Sequence, residues 1–324
     1  MSPVPAAATA TVLDLAPLDL SRRLRGLLCR SPEEADPRLA ERLLSAASTD
    51  IPEPRELRHS GFYWLLIPEL LATSFGLTKH KAGIDLLDDL LWVQYCVYGL
   101  FRVQDDLVDG DSADAILVVQ ANHLLIEAAR RAAEHFSSRS SFWEIFWGTI
   151  ETTSRTIQRL DRLQRTTDRD PEEEIALYAD LSACLKIASA AVCVKAGREE
   201  DWRHRISPAL DSLAAAAQVV DDVRDLRDDI RAGKINYAAW HLARPVFGDS
   251  VEATEAVIAS SLATSDRLPK LLVDAAAALE SRSSRLRGRT FAGVRSYLDD
   301  YRRGLTDLAV RIDKSRRDVL LEAS

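Results

Sequence analysis

Apolar side chains recur every three to four positions through most of the chain, which is the spacing of one face of an α-helix. No stretch shows the alternation of apolar and polar residues that is typical of a strand. Only 13 Gly and 12 Pro interrupt the 324 residues, so long helices are expected. The pattern predicts helices over 17–30, 37–48, 61–76, 82–109, 113–136, 140–166, 171–197, 208–233, 250–263, 267–286 and 290–320. We expect an all-α fold with one domain over 17–324, preceded by a flexible tail over 1–16.

The predicted helix over 82–109 is apolar around most of its circumference between Leu90 and Phe101, so it should be buried. It ends in three carboxylates, Asp105, Asp106 and Asp109, whose spacings of three and four residues put them on one helix face. Clustered carboxylates at the end of a buried helix are costly unless a cation neutralises them. Oxygen ligands of this kind suit a hard ion such as Mg²⁺.

The same pattern occurs a second time, in the helix predicted over 208–233. Asp221, Asp222 and Asp225 repeat the spacing, and Asp229 extends the stripe by one more turn. One such pattern arises easily by chance in an Asp-rich chain, whereas two that both follow long apolar stretches are much rarer. Solvated helix ends are the structural alternative. Two acidic stripes facing each other across a cavity could hold several Mg²⁺ ions and bind a diphosphate, whose departure those ions would promote.

Five further side chains are candidates for substrate contacts. Lys186 lies in a stretch of small and apolar residues, so it either reaches the surface or binds an anion. Lys234 follows a helix-closing glycine, where a cation also suits the helix dipole. Tyr98 and Phe101 precede the first acidic segment by about two turns and one turn, where a ring face could stabilise a carbocation or simply fill the core. Arg302 lies either on a solvated helix face or near a diphosphate.

The overall charge limits the classes of partner. The net charge is −8, so nucleic-acid binding is not expected as the main role. Polar residues interrupt the longest apolar runs, and no membrane span is predicted. The first twenty residues lack the basic start and apolar core of a signal peptide, and the four cysteines form no C-x-x-C pair. We therefore expect a cytoplasmic protein.

Three elements occur in a characteristic order: Asp-Asp-x-x-Asp, then Lys in a small-residue helix, then Gln218-Val219-Val220-Asp221-Asp222-x-x-Asp225 with Gly233-Lys234 behind it. Over roughly 60–245 this order resembles the trans-polyprenyl diphosphate synthases and, more broadly, the class I isoprenoid synthase superfamily. The resemblance implies a helical bundle around a central apolar cavity, an isoprenyl diphosphate substrate, three Mg²⁺ ions and a homodimer. It also implies that Lys186 contacts diphosphate. The metal ligands that it implies are Asp105, Asp106, Asp109, Asp221, Asp222 and Asp225.

The sequence departs from this family where a second substrate would bind. Chain-elongating synthases usually carry Gly-Lys-x-x-x-Arg-Pro on an early helix, but 59–68 contains no Lys or Arg. They also carry an Arg-Arg pair after the first aspartate motif, where this chain has 111–114, Asp-Ser-Ala-Asp. Charge-assisted bonds to a second diphosphate would be lost. We therefore expect a terpene synthase of the prenyltransferase-like type. The alternatives are a prenyltransferase and an inactive homologue acting as a partner subunit.

Overall fold

The computed structural model describes residues 63–108, 115–164, 170–243 and 251–322, and every regular element in these ranges is a helix. The all-α prediction is confirmed. The predicted helices over 17–30 and 37–48 lie outside the described residues. The α-helices of seven or more residues, in chain order, are α1 Tyr63–Ser74, α2 Lys81–Val108, α3 Ala115–Ala133, α4 Phe142–Gln164, α5 Pro171–Leu181, α6 Ile187–Lys195, α7 Ser207–Arg231, α8 Tyr237–Ala243, α9 Val251–Thr264, α10 Arg267–Ser283 and α11 Ala292–Glu322.

Local sequence signals set several of the helix ends. Asp170 caps α5 by accepting a hydrogen bond from the Glu172 amide at 3.0 Å, and Pro171 occupies the first turn. Gly233 adopts a left-handed φ of 75° after α7, and the next amide, that of Lys234, donates to the Asp229 carbonyl at 2.8 Å. This is the glycine-terminated helix end that the sequence predicts.

The predicted helix over 171–197 is divided in the structure. A 3₁₀ segment, Ser182–Lys186, separates α5 from α6. Two contacts from distant helices hold this break. The buried Gln94 side chain of α2 donates to the Cys184 carbonyl at 2.6 Å and accepts from the Ala188 amide at 3.0 Å. The Thr153 hydroxyl of α4 accepts from the Cys184 amide at 3.2 Å. Backbone groups released from the helical ladder thus keep partners inside the core.

The segment Glu172–Lys195 is also the one helical stretch in the described ranges with the length and apolar character needed to cross a membrane. Of its most apolar window, 67% is buried inside the protein. That burial is typical of a core helix in a water-soluble bundle, because a lipid-facing helix would keep its apolar side chains on the outside.

The core lies between helices that pack along their lengths. Helices α2 and α3 form one antiparallel pair, and α10 and α11 form another. Helix α7 lies between these groups and contacts α5, α8 and α10. Its buried side includes Leu210, Leu213 and Val219, each at most 1% exposed. From Asp221 onward more of the helix is accessible, and the second aspartate motif lies in this part, with Asp221 and Asp225 exposed and Asp222 buried.

Candidate active site

The 3₁₀ segment Ser182–Lys186 contacts both helices that carry an aspartate motif, so the directions of α2 and α7 can be compared through it. Lys195, at the end of α6, donates to the backbone carbonyl of His135, and the His135 ring lies 2.8 Å from the Asp89 carboxylate near the start of α2. Further along α2, Gln94 meets Cys184 in the break. Helix α2 therefore runs antiparallel to the path formed by α5 and α6. Its last turn, with Asp105, lies about 16 Å beyond Gln94, toward the end of the bundle at which α5 begins.

Helix α7 also runs antiparallel to the path formed by α5 and α6. Lys186, at the end of the break, forms an ion pair with Asp211 near the start of α7. The Tyr178 hydroxyl of α5 donates to the carboxylate of Asp222, eleven residues further along α7. Both aspartate segments therefore lie toward the end of the bundle at which α5 begins, and the second one contacts α5 directly. In agreement with this, the charge of Asp105 contributes to raising the pKa of Cys184, although burial is the main cause of that shift.

Asp222 is the most strongly held carboxylate at this end. Its side chain is 4% exposed, and one oxygen accepts from the Tyr178 hydroxyl and, at 3.0 Å, from the Tyr237 amide at the start of α8. The other oxygen accepts from Gln218 at 3.4 Å. Burial raises the pKa of Asp222 to about 7, against the lowering effect of these three donors. Asp222 thus joins α5, α7 and α8, and its oxygens already have protein partners.

A second buried carboxylate, that of Glu174, lies close to Asp222 and affects its pKa. The Tyr178 hydroxyl lies 3.2 Å from the Glu174 carboxylate as well as beside Asp222, and Glu174 is fully buried. A phenol has one hydrogen, so it can donate to one of the two carboxylates at a time. The negative charge of Glu174 also raises the pKa of Asp222. The charge of Glu174 therefore acts together with burial to favour the protonated form of Asp222.

The comparisons with known proteins agree with this architecture. No protein-family model matches the chain, and no curated protein matches it at the sequence level. Two solved structures do match it. A decaprenyl diphosphate synthase from Rhodobacter capsulatus is 15% identical, with a TM-score of 0.65 over 90% of this chain and 96% of that one. A polyprenyl synthase from Caulobacter crescentus CB15, complexed with calcium and isoprenyl diphosphate, is 16% identical, with a TM-score of 0.65 over 94% and 99%.

The chain has the isoprenoid synthase fold. At these identities the likeness shows the fold alone, and it confirms the all-α bundle that the sequence resemblance implies. Within this fold, the end of the bundle that carries Asp105 and Asp222 is the candidate active site. The roles of its individual residues stay predictions, which the local geometry makes more specific.

Two of the predicted metal ligands are accessible at this end. Asp105 is half-buried and lies 3.2 Å from Arg102, one turn earlier on α2. Asp221 is exposed and lies 3.6 Å from Arg224, one turn later on α7. Ion pairs between exposed groups are weak, so a divalent ion could displace either arginine. Asp109 lies outside the described residues, as does the side chain of Asp106.

The other aspartates of the second motif differ in surroundings. Asp225 is exposed on α7. Asp229 is half-buried and accepts a 2.7 Å hydrogen bond from Asn236. The same amide group of Asn236 donates to the Asp222 backbone carbonyl at 2.8 Å. Asp221 and Asp225 are therefore open to a ligand, whereas Asp222 and Asp229 are tied to the segment that follows α7.

The donor set fits a hard divalent cation in kind, since it consists of carboxylates. Within the described ranges, however, no three His, Cys, Asp or Glu side chains come together closely enough to hold a metal ion. Mg²⁺ commonly keeps waters and takes substrate phosphate oxygens in addition to one or two carboxylates. A site with Asp105 on one helix and Asp221 on another fits that mode, with the substrate completing the coordination.

The predicted substrate contacts are distributed along the bundle. Lys186 is half-buried and forms an ion pair with Asp211, and Asp180 also lies close enough to be affected by its charge. Lys234 is half-buried in the turn after α7. Arg302 points toward α10, where its guanidinium lies 3.9 Å from Glu280. Burial raises the pKa of Tyr301, the residue before it on α11, and the negative charge of Asp221 adds to this rise, so Tyr301 lies near the second motif.

The two predicted aromatic contacts pack differently. Tyr98 is half-buried and stacks on Trp64 of α1, with ring centroids 4.8 Å apart. Phe101 is 5% exposed and belongs to the core between the helices. Both arrangements are compatible with a cavity wall and with ordinary packing.

Several residues of the site have no motif in the sequence. Tyr178 and Asn236 hold the second aspartate motif from outside α7, and nothing in their local sequence indicates this. Asp211 could have been found from its spacing. It lies seven positions before Gln218 and fourteen before Asp225, which places all three residues on one face of α7.

Proposed function

We propose that the chain is a metal-dependent enzyme that ionises a linear allylic isoprenyl diphosphate. The observation that carries this proposal is that two aspartate segments, 116 residues apart at each aligned position, lie at one end of an isoprenoid synthase bundle. The Caulobacter structure, which contains calcium and isoprenyl diphosphate, supports a divalent ion and a substrate of this class.

Individual residues have distinct tasks in this proposal. Asp105 and Asp221 hold Mg²⁺, together with the predicted ligands Asp106, Asp109 and Asp225. The bound ions would supply Lewis-acid stabilisation of the departing diphosphate. Asp222 is a positioning residue, because Tyr178 and Tyr237 already bind its carboxylate. Its hydrogen bonds keep α7 in register with α5, which fixes the height of Asp221 and Asp225 at the site.

We further propose that the resulting cation reacts within the same molecule, as in a terpene synthase. A second, doubly anionic substrate requires cationic partners, and 59–68 contains none. The described part of that region begins α1 with Tyr63 and Trp64, which are 2% and 4% exposed and belong to the apolar core. A Mg²⁺-dependent cyclase binds only one diphosphate substrate, so the absence of Lys and Arg from 59–68 fits a cyclase.

Prenyl transfer is the second candidate, and one finding favours it more directly than cyclisation. Both matching solved structures carry the names of prenyl synthases. In that case the cation would be attacked by isopentenyl diphosphate or by another acceptor. The ionisation step and its aspartates are common to both candidates, so they differ only in the nucleophile.

The deciding experiment is product analysis by mass spectrometry. The purified protein is incubated with Mg²⁺ and geranyl, farnesyl, geranylgeranyl or geranylfarnesyl diphosphate, with and without isopentenyl diphosphate. A cyclase gives hydrocarbon or terpene alcohol from the allylic substrate alone. Longer diphosphates that form only with isopentenyl diphosphate would establish prenyl transfer. Absence of any product, together with absence of diphosphate binding by calorimetry, would support the inactive-homologue alternative.

A further inference from the structure

Cations are concentrated at the end of the bundle opposite the candidate active site. Residues 281–298 contain five arginines and no Asp or Glu, and residues 70–84 contain two lysines and again no Asp or Glu, in a chain whose net charge is −8. Charges of one sign that gather on a protein of the opposite net charge create a local field that can attract a partner. Six of these side chains are exposed, and we call them the basic surface: Lys79, Lys81, Arg282, Arg285, Arg287 and Arg289.

The two segments that carry the basic surface meet where α1 ends and α11 begins. The ring of Phe75, just after α1, lies edge-on to the ring of Phe291, just before α11, with centroids 6.3 Å apart. Lys81 begins α2 six residues after Phe75, and Asp105 lies 24 residues, or about 36 Å, further along that helix. The basic surface and the two aspartate motifs are therefore at opposite ends of the bundle.

The turn between α10 and α11 holds its arginines on the outside of the protein. Leu286 and Phe291 are 0% and 1% exposed, so they anchor this turn in the core. The Arg295 guanidinium, from the first turn of α11, donates a hydrogen bond to the Leu286 carbonyl at 3.0 Å. Arg285 and Arg287 are exposed on either side of the buried leucine. Their backbone is therefore fixed before a partner binds, which lowers the entropy lost on binding.

The basic surface differs from a neighbouring arginine in having no counter-ions. Arg198 lies over the Phe75 ring, 5.5 Å from its centroid, and forms an ion pair with Asp201 at 2.7 Å. By contrast, the six side chains of the basic surface form no ion pair within the ranges that the structure describes. The carboxylates nearest to them in sequence, Asp85 and Glu280, offset part of the charge but leave this end cationic. The six charges are therefore available to an external anion.

Two features of this end favour a lipid surface over a nucleic acid as the anion. Ile84, one turn into α2 from Lys81, is 42% exposed, and the headgroup region of a bilayer accepts an apolar side chain among cations. The rest of the chain is strongly acidic, but its charges act over only about 8 Å at physiological salt. A flat surface that touches one end of the bundle stays away from most of these charges, whereas a long polyanion extending past the basic surface would meet them.

We propose that the basic surface docks the protein on the anionic phospholipid headgroups of a bilayer. Clusters of about four to eight Lys or Arg side chains support this kind of reversible attachment, and this surface has six. The inference goes beyond the proposed function and does not depend on it. In the docked protein, the candidate active site lies at the end away from the bilayer, where a diphosphate in solution can reach the aspartates.

The test is sedimentation of the full chain with vesicles of phosphatidylcholine, either alone or with about one third phosphatidylglycerol. The wild type should sediment only with the anionic vesicles, and less so as the salt concentration rises. In Arg285→Gln/Arg287→Gln, the partition coefficient should fall about tenfold or more, because each cation near an anionic surface contributes about fivefold. The matched control, Arg311→Gln/Lys314→Gln, removes the same charge from exposed positions about 30 Å beyond the start of α11 and should change the coefficient less than about threefold.

Ile84→Ser distinguishes a bilayer from a nucleic acid as the partner. Its partition onto anionic vesicles should fall about threefold or more, because the apolar contact with the headgroup region is lost. Equal binding to neutral and anionic vesicles, an unchanged partition in the double arginine variant, or binding to a single-stranded RNA oligonucleotide without binding to vesicles would overturn this inference. Diphosphate release is measured separately without vesicles, so the loss of either result leaves the other standing.

Discussion

Replacing Asp222 with asparagine should stabilise the protein at alkaline pH, because the substitution removes a buried charge and keeps its hydrogen bonds. The carboxylate oxygen that accepts from Tyr178 and from the Tyr237 amide can be replaced by the amide oxygen. The amide nitrogen would then take the place of the oxygen beside Gln218, whose own amide can turn to accept from it. At neutral and higher pH, the wild-type carboxyl must ionise in a site where it is 4% exposed.

The magnitude follows from the pKa of Asp222, which burial raises from 3.8 to about 7. Because one pKa unit corresponds to about 1.4 kcal/mol, the wild-type free energy of unfolding loses up to about 4 kcal/mol as the pH rises through this range. The sign is that of a raised carboxyl pKa: the stabilising contribution is fully present below about pH 4 and is lost above about pH 7. The asparagine variant cannot ionise, so it should be more stable than the wild type by about 2–4 kcal/mol at pH 8 and close to it at pH 4.

The assay is urea unfolding without divalent metal at several pH values, followed by circular dichroism. In the difference in unfolding free energy between wild type and Asp222→Asn, the titration of distant groups cancels, and the titration of Asp222 with the coupled Glu174 remains. Asp228→Asn is the control, since Asp228 lies on the same helix with a side chain that is 87% exposed, and it should show no such pH dependence. A wild-type-to-variant difference that is constant between pH 4 and pH 8 would refute the reasoning. Asp222→Ala should instead lose this advantage and destabilise, because it leaves the buried Tyr237 amide without its acceptor.

Four further substitutions test other parts of the structure. Gly83→Ala should destabilise the protein by about 3 kcal/mol in urea unfolding, because the new methyl group would lie 1.8 Å from the Leu77 carbonyl oxygen. Gly148→Ala, where the new methyl group has nothing within 4 Å, should stabilise the protein by about 0.5–1 kcal/mol. Equal effects of the two substitutions would contradict the helix packing. Gln94→Leu should cost about 2–4 kcal/mol because two buried backbone groups lose their partner, and an unchanged midpoint would argue against the braced helix break. Lys186→Gln should raise KM for the allylic diphosphate about tenfold or more in steady-state assays if Lys186 contacts diphosphate. An unchanged KM would show that Lys186 serves only in its ion pair with Asp211.

The positions of the helices could be predicted from the sequence because they depend on local periodicity. The helix predicted over 82–109 is observed as Lys81–Val108, and the one over 290–320 as Ala292–Glu322. The break at Ser182–Lys186 could not be predicted in this way. It depends on Gln94 and Thr153, which are 90 and 31 residues away from Cys184, and on no local breaker.

The same distinction applies to the candidate site. The repeated aspartate spacing identified the two helices that the structure brings to one end of the bundle. The spacing could not distinguish Asp221, which is exposed, from Asp222, which is buried. Adjacent helix positions point in different directions, and the spacing alone does not tell which direction faces the core. The partners that decide this difference, Tyr178 and Asn236, come from other elements. Sequence spacing therefore indicates which helix carries the chemistry, and tertiary packing decides which carboxylates are open to a ligand.

The central claim is that carboxylates from α2 and α7 act together in metal-dependent ionisation of an allylic diphosphate. The most direct measurement is the rate of diphosphate release from farnesyl and geranylgeranyl diphosphate, with Mg²⁺ and with excess chelator, for wild type, Asp105→Asn, Asp221→Asn and Asp228→Asn. We predict Mg²⁺-dependent release by the wild type and by Asp228→Asn, and a loss of at least about a hundredfold in each of the other two variants. Release that persists in Asp105→Asn and Asp221→Asn, or that does not require a divalent ion, would contradict the account.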